Sequence, residues 1–571
     1  MSKRKGTILF SAICLIAGSL SMVSPASAHA DTPYYGKNYE QPAQVKKLYP
    51  EPDETFDTPA FQKKGEAFTT QEELQQFLRD IVRKSPYASQ KQIGTSIEGR
   101  SIPALYFTKD RHISPLSKKP TIWLQAQIHG NEPASGESAL VIAKRLAGDE
   151  GERILSHVNV IIVPRINPDG SYAFDRRLAN GMDGNRDHMT LESPELTALH
   201  QEFNWYAPEV VIDAHEYDVG QKQFEDIGSA GALKYHDLLI LSGKNLNIPE
   251  SIRLTSNELY VSSVRETLTN QGFSNDLYYT STRGKDGKID LYEGGTDARI
   301  GRNALALSPA LSFLVESRGI GIGREDFTRR VAAQVTTHEK IIETTVKHSK
   351  QVKQQMVTER LKLVKKGHQS NDDDQVVIQD DFKAPVEDSL EMVDIEKGQT
   401  INVPVRFHSA SDAVPVMSRE RPTAYLVLPG HEGVERKLQT LGLKSVTLPA
   451  SVKVPVQAYQ VTKRDEKSQT DIQLETELIQ KKRQLPKGTK VYVTAQPQTN
   501  LLSLALEPES KDSYMSSGLI ASKVGDELPV YRFLLSNRTL GIKKKSAKMI
   551  IALNVSYTAK IFYHAEKKTK G

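Results

Sequence analysis

Cysteine is almost absent from the sequence: the 571 residues include one, Cys14, inside an apolar stretch near the N-terminus. Because that stretch has the character of an export signal, the mature chain is expected to contain no cysteine. Disulfides and thiolate metal sites are then excluded, which leaves His, Asp and Glu as possible metal ligands.

A large net charge is missing too, since 75 basic and 70 acidic residues give a formal charge of +5. Nothing in that balance argues for a nucleic-acid partner. With 38% hydrophobic and 25% charged residues, the composition excludes a mainly disordered chain, a collagen and a polytopic membrane protein. After residue 28 no apolar run is long enough to span a bilayer.

The N-terminus has the three parts of a secretory signal peptide. The basic residues Lys3, Arg4 and Lys5 precede the apolar residues 8–23, and Ala26-Ser27-Ala28 forms a cleavage site. A membrane anchor is the alternative interpretation, but the apolar stretch is short. We predict a signal peptide over residues 1–28 and a secreted, extracellular protein.

The next part of the chain alternates between apolar β-like runs and helical segments. After an extended lead-in over residues 29–62, this pattern predicts an α/β domain over residues 63–366 whose sheet is covered by helices on both faces. Residues 326–366 are predicted to form one long helix. The apolar runs are residues 121–128, 158–164, 210–214 and 311–315.

The composition changes after residues 367–375, which are predicted to be a linker. Short β-branched runs broken by Pro and Gly then predict a β-rich accessory domain over residues 376–535. The basic tail, residues 536–571, carries nine Lys or Arg against one acid, Glu566. Such a tail is either attracted to an anionic surface, such as a cell wall or membrane, or is a solvated terminus.

Two histidines lie where strands are predicted to end. His129 stands three positions before Glu132 across a glycine-containing turn, so the imidazole and the carboxylate can converge on one ion. His215 follows the run 210–214, and ligands gather at the carboxyl ends of strands in sheet-based enzymes. Either histidine alone is as well explained as a hydrogen-bonded core residue. Together with Glu132 they form a two-His, one-carboxylate set, which suits one catalytic zinc ion.

Two further polar features accompany this set. Glu316 ends the run 311–315, where an acid is costly to bury unless it is paired or used. It is therefore either a strand-end glutamate bonded to Arg318 or a general base. The polar segment 167–186 supplies guanidinium groups suited to gripping a carboxylate or a developing oxyanion.

In order and combination these elements resemble the zinc carboxypeptidase (M14) family, in particular its long, secreted bacterial members. The resemblance covers about residues 65–345, half of the chain. The motifs that carry it are Gly94-Thr95-Ser96-Ile97-Glu98-Gly99-Arg100-Ser101-Ile102, His129-x-x-Glu132, Asn167-Pro168-Asp169-Gly170, Asn185-Arg186, His215 and Glu316.

The resemblance implies a mixed, twisted sheet and one zinc ion held by His129, Glu132 and His215. It also implies that Glu316 is the catalytic base, which activates a zinc-bound water.

The resemblance extends to substrate binding. Arg176, nine residues before Asn185, matches the arginine that polarises the scissile carbonyl. Asn185 and Arg186 match the pair that holds the terminal carboxylate of the substrate. The family also uses a mobile tyrosine upstream of its base, for which Tyr292 is the predicted equivalent, with Tyr278 and Tyr279 as alternatives.

The sequence also departs from the family. Residues 219–290, between the third metal ligand and the predicted tyrosine, form a long segment that can reshape the pocket. Arg299 and Arg302 either favour acidic side chains in the substrate or are structural, and the structural interpretation is favoured.

The leading prediction is a secreted zinc metallocarboxypeptidase that hydrolyses the C-terminal bond of peptides or proteins. The same zinc and base would also serve a zinc amidase that acts on cell-wall peptides or N-acyl amino acids. A third alternative, a binding protein with a vestigial catalytic half, is disfavoured because every predicted site residue is present.

Overall fold

The computed structural model describes residues 36–37, 39–63, 67–368 and 374–534. The predicted signal peptide and the predicted basic tail lie outside the described residues. The strands are β1 Ala88–Thr95, β2 Ser101–Phe107, β3 Thr121–Ala126, β4 Asn159–Val163, β5 Val210–Asp218, β6 Ala232–Lys234, β7 Leu238–Ser242, β8 Asn275–Leu277, β9 Thr280–Arg283, β10 Ile289–Tyr292, β11 Leu311–Ile320, β12 Gln375–Asp381, β13 Val386–Asp394, β14 Gln399–His408, β15 Val414–Glu420, β16 Ala424–Val427, β17 Val446–Thr447, β18 Val452–Ser468, β19 Asp471–Leu485, β20 Lys490–Val493 and β21 Glu527–Phe533. The helices are α1 Ala43–Lys46, α2 Gln71–Lys84, α3 Pro133–Ala147, α4 Asp149–Leu155, α5 Pro168–Ala173, α6 Pro194–Tyr206, α7 Glu250–Thr255, α8 Ser262–Asn270, α9 Gly301–Leu307, α10 Phe327–Lys347, α11 Ser349–Lys366, α12 Glu432–Thr440 and α13 Thr499–Leu506.

A central eight-stranded sheet organises the first part of the chain, with strand order β1-β2-β4-β3-β5-β11-β7-β8. The four middle strands β4, β3, β5 and β11 run parallel. The β1–β2, β2–β4 and β11–β7 pairs are antiparallel. The sheet is therefore mixed, as predicted, and the carboxyl ends of β3, β5 and β11 meet at one edge.

Helices cover both faces of this sheet. Every residue of β3, β4 and β7 is buried, and β5 is exposed only at its last residue. Because successive side chains of a strand point to opposite faces, burial along the whole strand requires a cover on each face. Helices α3 and α10 pack against each other and against the sheet, and α9 contacts β5 and β11. The predicted α/β fold is confirmed.

A second sheet joins the two parts of the chain. Its order is β6-β13-β14-β10-β9, so β13 and β14, which follow the predicted linker, lie between strands that precede it. Apolar side chains of both parts pack together there, including Leu291, Leu390, Met392 and Val405. The predicted β-rich region is confirmed, with a further sheet of order β17-β20-β16-β21-β18-β19 and the helices α12 and α13. The domain boundaries stay predictions.

The predicted long helix over residues 326–366 is wrong as a single element. Helices α10 and α11 are separated at His348, whose φ of −109° and ψ of 21° are not helical. Helix α10 has a continuous buried face, whereas only five residues of α11 are buried. None of the helices in the described ranges is long and apolar enough to cross a membrane.

Candidate metal and catalytic centre

The turn that carries His129 and Glu132 lies between β3 and α3. Gln127 has a φ of 50°, which ends the strand and redirects the chain before His129. A Cβ on Gly130 would lie 1.9 Å from the carbonyl carbon of Gly170, so only glycine permits this approach. Glu132 then stands directly before Pro133, the first residue of α3. The turn thus holds both side chains over the end of β3.

The motif Asn167-Pro168-Asp169-Gly170 supports this turn rather than the substrate. The Asn167 Oδ1 accepts from the Gly170 N–H at 2.8 Å, and its Nδ2 donates to the Arg177 carbonyl at 3.0 Å. The Asp169 carboxylate accepts from Ser96 at 2.7 Å and pairs with Arg100 at 2.7 Å. A hydrogen bond and an ion pair therefore link the motif at residues 94–102 to the motif at residues 167–170, next to the turn that carries His129 and Glu132.

His215 and Glu316 come together through strand register. They are directly paired on the neighbouring parallel strands β5 and β11, and paired residues project from the same face of a sheet. Their side chains are both buried, at 0% and 7% exposure. The register therefore places a predicted ligand beside the predicted base.

The three predicted ligands converge as a metal site requires, since their ligand atoms all lie within 4.8 Å of one another. The Nδ1 atoms of His129 and His215 are 3.2 Å apart. The carboxylate of Glu132 lies 2.7 Å from the first nitrogen and 3.0 Å from the second. All three residues are buried, with at most 2% of each exposed.

Two aspartates fix the imidazole orientations. The Nε2 of His129 lies 3.1 Å from the Asp183 carboxylate, and the Nε2 of His215 lies 3.2 Å from that of Asp213. Because carboxylates accept hydrogen bonds, we assign the ring protons to the Nε2 atoms. Both Nδ1 lone pairs then face each other and the Glu132 carboxylate. Three buried acceptors this close repel one another, and the Arg176 guanidinium reaches the His129 Nδ1 from one side only, at 3.2 Å. A cation among the three would relieve the repulsion, so the residues fit a zinc ion.

Arg176 reaches over this centre. One of its terminal nitrogens lies 3.6 Å from the Glu132 carboxylate, and the other donates to Asp183 at 3.0 Å. Its neighbour Arg177 points away and donates to the Gly181 carbonyl at 2.8 Å. Of the two arginines, Arg176 is therefore the one that faces the metal ligands.

A cavity of about 200 Å³ opens beside the ligands. Asn185, Arg186 and Glu316 line it together with His129 and Arg176. The Asn185 Oδ1 accepts from the Gly301 N–H at 2.7 Å, which turns its Nδ2 toward the His215 ring. Arg186 donates to the Asn185 carbonyl at 2.8 Å and forms no ion pair within the described ranges. Its guanidinium is available to an anionic ligand.

Glu316 faces this cavity without a hydrogen bond to another described side chain, and it is not bonded to Arg318. Arg318 instead donates to the Lys234 carbonyl at 3.2 Å and pairs with Asp326 at 3.4 Å. Burial raises the pKa of Glu316 to about 7, because a desolvated carboxylate favours its neutral form. A base with such a pKa can accept and return a proton near neutral pH.

The structure does not bring Tyr292 to the cavity. Tyr292 ends β10 in the second sheet, where its ring stacks on His408 with centroids 4.3 Å apart and meets Phe382 edge to face at 5.4 Å. Tyr278, one of the alternatives, lines the cavity with Glu316. Burial raises the pKa of Tyr278. Spacing along the chain favoured Tyr292, but pairing of β10 with β14 carries it away.

Asp183 and Asp213 lie inside the polar segment 167–186 and the apolar run 210–214, and the sequence analysis assigned neither of them a role. An acid two positions before a strand-end histidine was the available signal for Asp213. Lys234 was missed because it comes from the long segment 219–290, which has no local motif.

Comparison with known proteins agrees with this geometry. The family model described as zinc carboxypeptidase matches residues 74–219, which include all three predicted ligands. Carboxypeptidase 2 of Trichophyton rubrum is 32% identical over 478 residues, covering 81% of this chain and 86% of that protein. The chain belongs to the zinc carboxypeptidase (M14) family. It is accordingly a zinc metallocarboxypeptidase, with zinc as its cofactor.

Other members of the M14 family align over shorter stretches. Human carboxypeptidase A1 is 34% identical over 113 residues, or 19% of this chain and 26% of that protein. A metallo-carboxypeptidase from Burkholderia cenocepacia of known structure has a TM-score of 0.36 and 20% identity, covering 48% of this chain and 69% of that chain. The Trichophyton alignment is longer than residues 63–366, so likeness to that protein extends beyond the predicted catalytic domain.

Replacing Asp213 with Asn is expected to weaken zinc binding by about 10- to 100-fold, the usual effect of losing a partner that orients a metal ligand. The amide can donate as well as accept, so it no longer fixes the proton on the His215 Nε2. Competition with a chelator of known zinc affinity measures the change. Asp226→Asn, at an exposed acid paired with Arg283, is the control and should retain full affinity. Equal affinity in both variants would contradict the assigned role.

Proposed function

We propose that this zinc carboxypeptidase is exported and removes the C-terminal residue of peptides or proteins, with Glu316 as its general base. The observation that carries the proposal is the pairing of Glu316 with His215 across β5 and β11. That register puts a buried carboxylate with a raised pKa at the edge of the metal centre and open to the cavity.

His129, Glu132 and His215 would hold the zinc ion. When bound, zinc would act as a Lewis acid that polarises a carbonyl and lowers the pKa of the water bound to it to about 7. The remaining roles belong to residues of the chain. Arg186 would bind the free α-carboxylate of the substrate through charge-assisted hydrogen bonds, with Asn185 beside it.

Arg176 would donate to the oxygen of the scissile carbonyl, where negative charge develops in the transition state. Glu316 would accept a proton from the attacking water and pass it to the nitrogen of the departing residue. The water oxygen bonds to the scissile carbon, the C–N bond breaks, and the released amino acid leaves with a neutral amine. The second proton of the water stays on the new carboxyl group, which loses it to solvent and becomes a carboxylate. Proton transfer of this kind contributes about 10²–10⁴ in rate.

Tyr278, rather than Tyr292, would take the place of the substrate-binding tyrosine. The support is its position in the cavity lining with Glu316, Arg176 and Arg186. Tyr292 is instead held in the second sheet, stacked on His408 and in edge-to-face contact with Phe382.

Export and attachment to a cell wall or another anionic surface are supported by the sequence, through the signal-like residues 1–28 and the basic tail. Neither segment belongs to the described residues. The peptide substrate is supported by Arg186, whose guanidinium lies at the cavity and forms no ion pair within the described ranges.

Replacing Arg186 with Ala is expected to lower kcat/KM on peptides with a free C-terminus by about 10- to 100-fold, the worth of one hydrogen bond to a charged group. Peptides with an amidated C-terminus lack that charge, so their slower hydrolysis should change little. Release of the last residue is measured for both peptide series. Arg177→Ala, at the neighbouring arginine that binds a loop carbonyl, is the matched control. Equal losses on the two series would argue against carboxylate binding by Arg186.

A further inference from the structure

The cavity beside the metal centre contains more positive charge than the proposed reaction uses. Besides Arg176 and Arg186, its lining includes Lys234 and Arg302. Both are buried, with 3% and 2% exposure. A buried cation without a counter-charge is costly, so each of the two needs an explanation.

Lys234 has its own counter-charges. Its ammonium lies 5.1 Å from the ring centre of Tyr217 and 5.2 Å from that of Tyr279. The carboxylates of Glu316 and Asp218 act on it from the same cavity. The proposed reaction already places a negative charge beside Lys234, at Glu316.

The carboxylates of Asp297 and Asp213 also act on Arg302, but both are bonded to other groups. One of its terminal nitrogens donates to the Gly295 carbonyl at 2.6 Å, while its buried Nε has no hydrogen-bond partner. It forms no ion pair with any residue of the described ranges. Asp213 is bonded to His215 and Gln125 through one of its oxygens, and Asp297 pairs with Lys511 and Arg299.

The backbone is shaped around this guanidinium. Gly294 has a φ of +57°, and a Cβ there would lie 2.5 Å from a terminal nitrogen of Arg302. Gly294 and Gly295 both line the cavity. The absence of a side chain at Gly294 thus lets the guanidinium lie against the cavity wall.

Arg302 also differs from the neighbouring Arg299. Arg299 pairs with Asp512 at 3.3 Å and with Asp297 at 3.5 Å, so it is a structural residue, as the sequence favoured. Arg302 shares the cavity with Arg186 and Tyr278, which are the residues proposed to bind the C-terminal end of the substrate.

We infer that Arg302 binds the side-chain carboxylate of a C-terminal glutamate or aspartate, so that the enzyme prefers peptides with an acidic last residue. The inference rests on the proposed function, in which Arg186 binds the α-carboxylate. An acidic last residue presents two carboxylates, and the cavity offers two guanidinium groups without ion-pair partners. Planar guanidinium groups suit this recognition because they can bind a carboxylate through two parallel hydrogen bonds.

The test compares kcat/KM of the zinc-loaded full chain on peptides that are identical except for a last residue of Glu or Gln. Glu and Gln have the same shape, so their ratio isolates the charge. We expect the wild type to favour Glu by about 10- to 100-fold, as one charged hydrogen-bonded pair allows. Arg302→Gln should bring the ratio close to one. Arg299→Gln, the matched control, should keep the wild-type ratio.

Several outcomes would overturn the inference while leaving the proposed function intact. They are a wild-type ratio near one, a ratio that survives Arg302→Gln, or a ratio abolished by Lys234→Met and not by Arg302→Gln. Release of no residue from any peptide would instead overturn the proposed function. The wild-type ratio needs no variant, so misfolding of Arg302→Gln would not remove the test. Inhibition of the wild type by free glutamate, compared with free glutamine, gives a second measurement and should favour glutamate.

Discussion

Glu316→Gln is expected to lower kcat by about 10²–10⁴-fold, the contribution of a positioned proton acceptor. Glutamine matches glutamate in size but cannot take a proton from water. Glu316 is not among the three converging ligands, so the bound zinc should remain at one ion per chain. Single-turnover hydrolysis of a peptide, with zinc content measured on the same sample, checks both parts of the expectation.

The matched control is Glu325→Gln. Glu325 is half-buried outside the cavity lining, where it pairs with Lys37 at 3.0 Å and with Lys46 at 3.4 Å. This variant should hydrolyse peptides at the wild-type rate. A Glu316→Gln enzyme with full activity would refute the base assignment, and loss of zinc from it would mean that Glu316 belongs to the metal site.

Arg330→Met is expected to reduce the free energy of unfolding by about 3–5 kcal/mol, the usual cost of breaking a buried ion pair. Arg330 pairs with Glu216 at 2.6 Å, with 4% and 0% of the two side chains exposed. The other Glu216 oxygen accepts from the Ala134 N–H at 2.7 Å, at the start of α3. The variant would leave a buried carboxylate without its cation, next to the ligand His215. Denaturant unfolding of the zinc-loaded protein measures the loss.

An exposed ion pair supplies the control for this prediction. Arg83 and Asp80 pair at 2.8 Å on α2, where the Arg83 side chain is 72% exposed. Arg83→Met should change stability by less than about 1 kcal/mol, because water screens such pairs. A loss in Arg330→Met no larger than that of the control would show that the pair at Glu216 is not a structural link.

The features that the sequence could predict are local ones. The apolar strands β3, β5 and β11 are visible as runs, and their polar ends carry His129, His215 and Glu316. Since parallel strands align their carboxyl ends at one edge, a prediction of strands is also a prediction that these residues meet. The zinc cofactor and the α/β fold follow from the same few segments.

The features that escaped prediction depend on long-range pairing. Tyr292 lies at a reasonable spacing from Glu316, but β10 pairs with β14, more than 100 residues further along the chain. No property of the segment around Tyr292 encodes that partner. Tyr278 and Lys234 reach the cavity through the same irregular segment, for which the sequence has no periodic signal. The boundary of β3 was also misjudged, because the left-handed Gln127 ends the strand early.

The sheet shared by β6, β13, β14 and β10 has a consequence for how this enzyme can diverge. Strand β6 ends at Lys234 in the cavity wall, and β13 covers its edge. A chain that stopped after residue 366 would leave β6 and β10 with open edges. The β-rich half therefore cannot be removed without leaving unpaired strand edges in the half that carries the metal centre. A substitution that shifts β13 would therefore also shift β6, and with it Lys234 in the cavity wall.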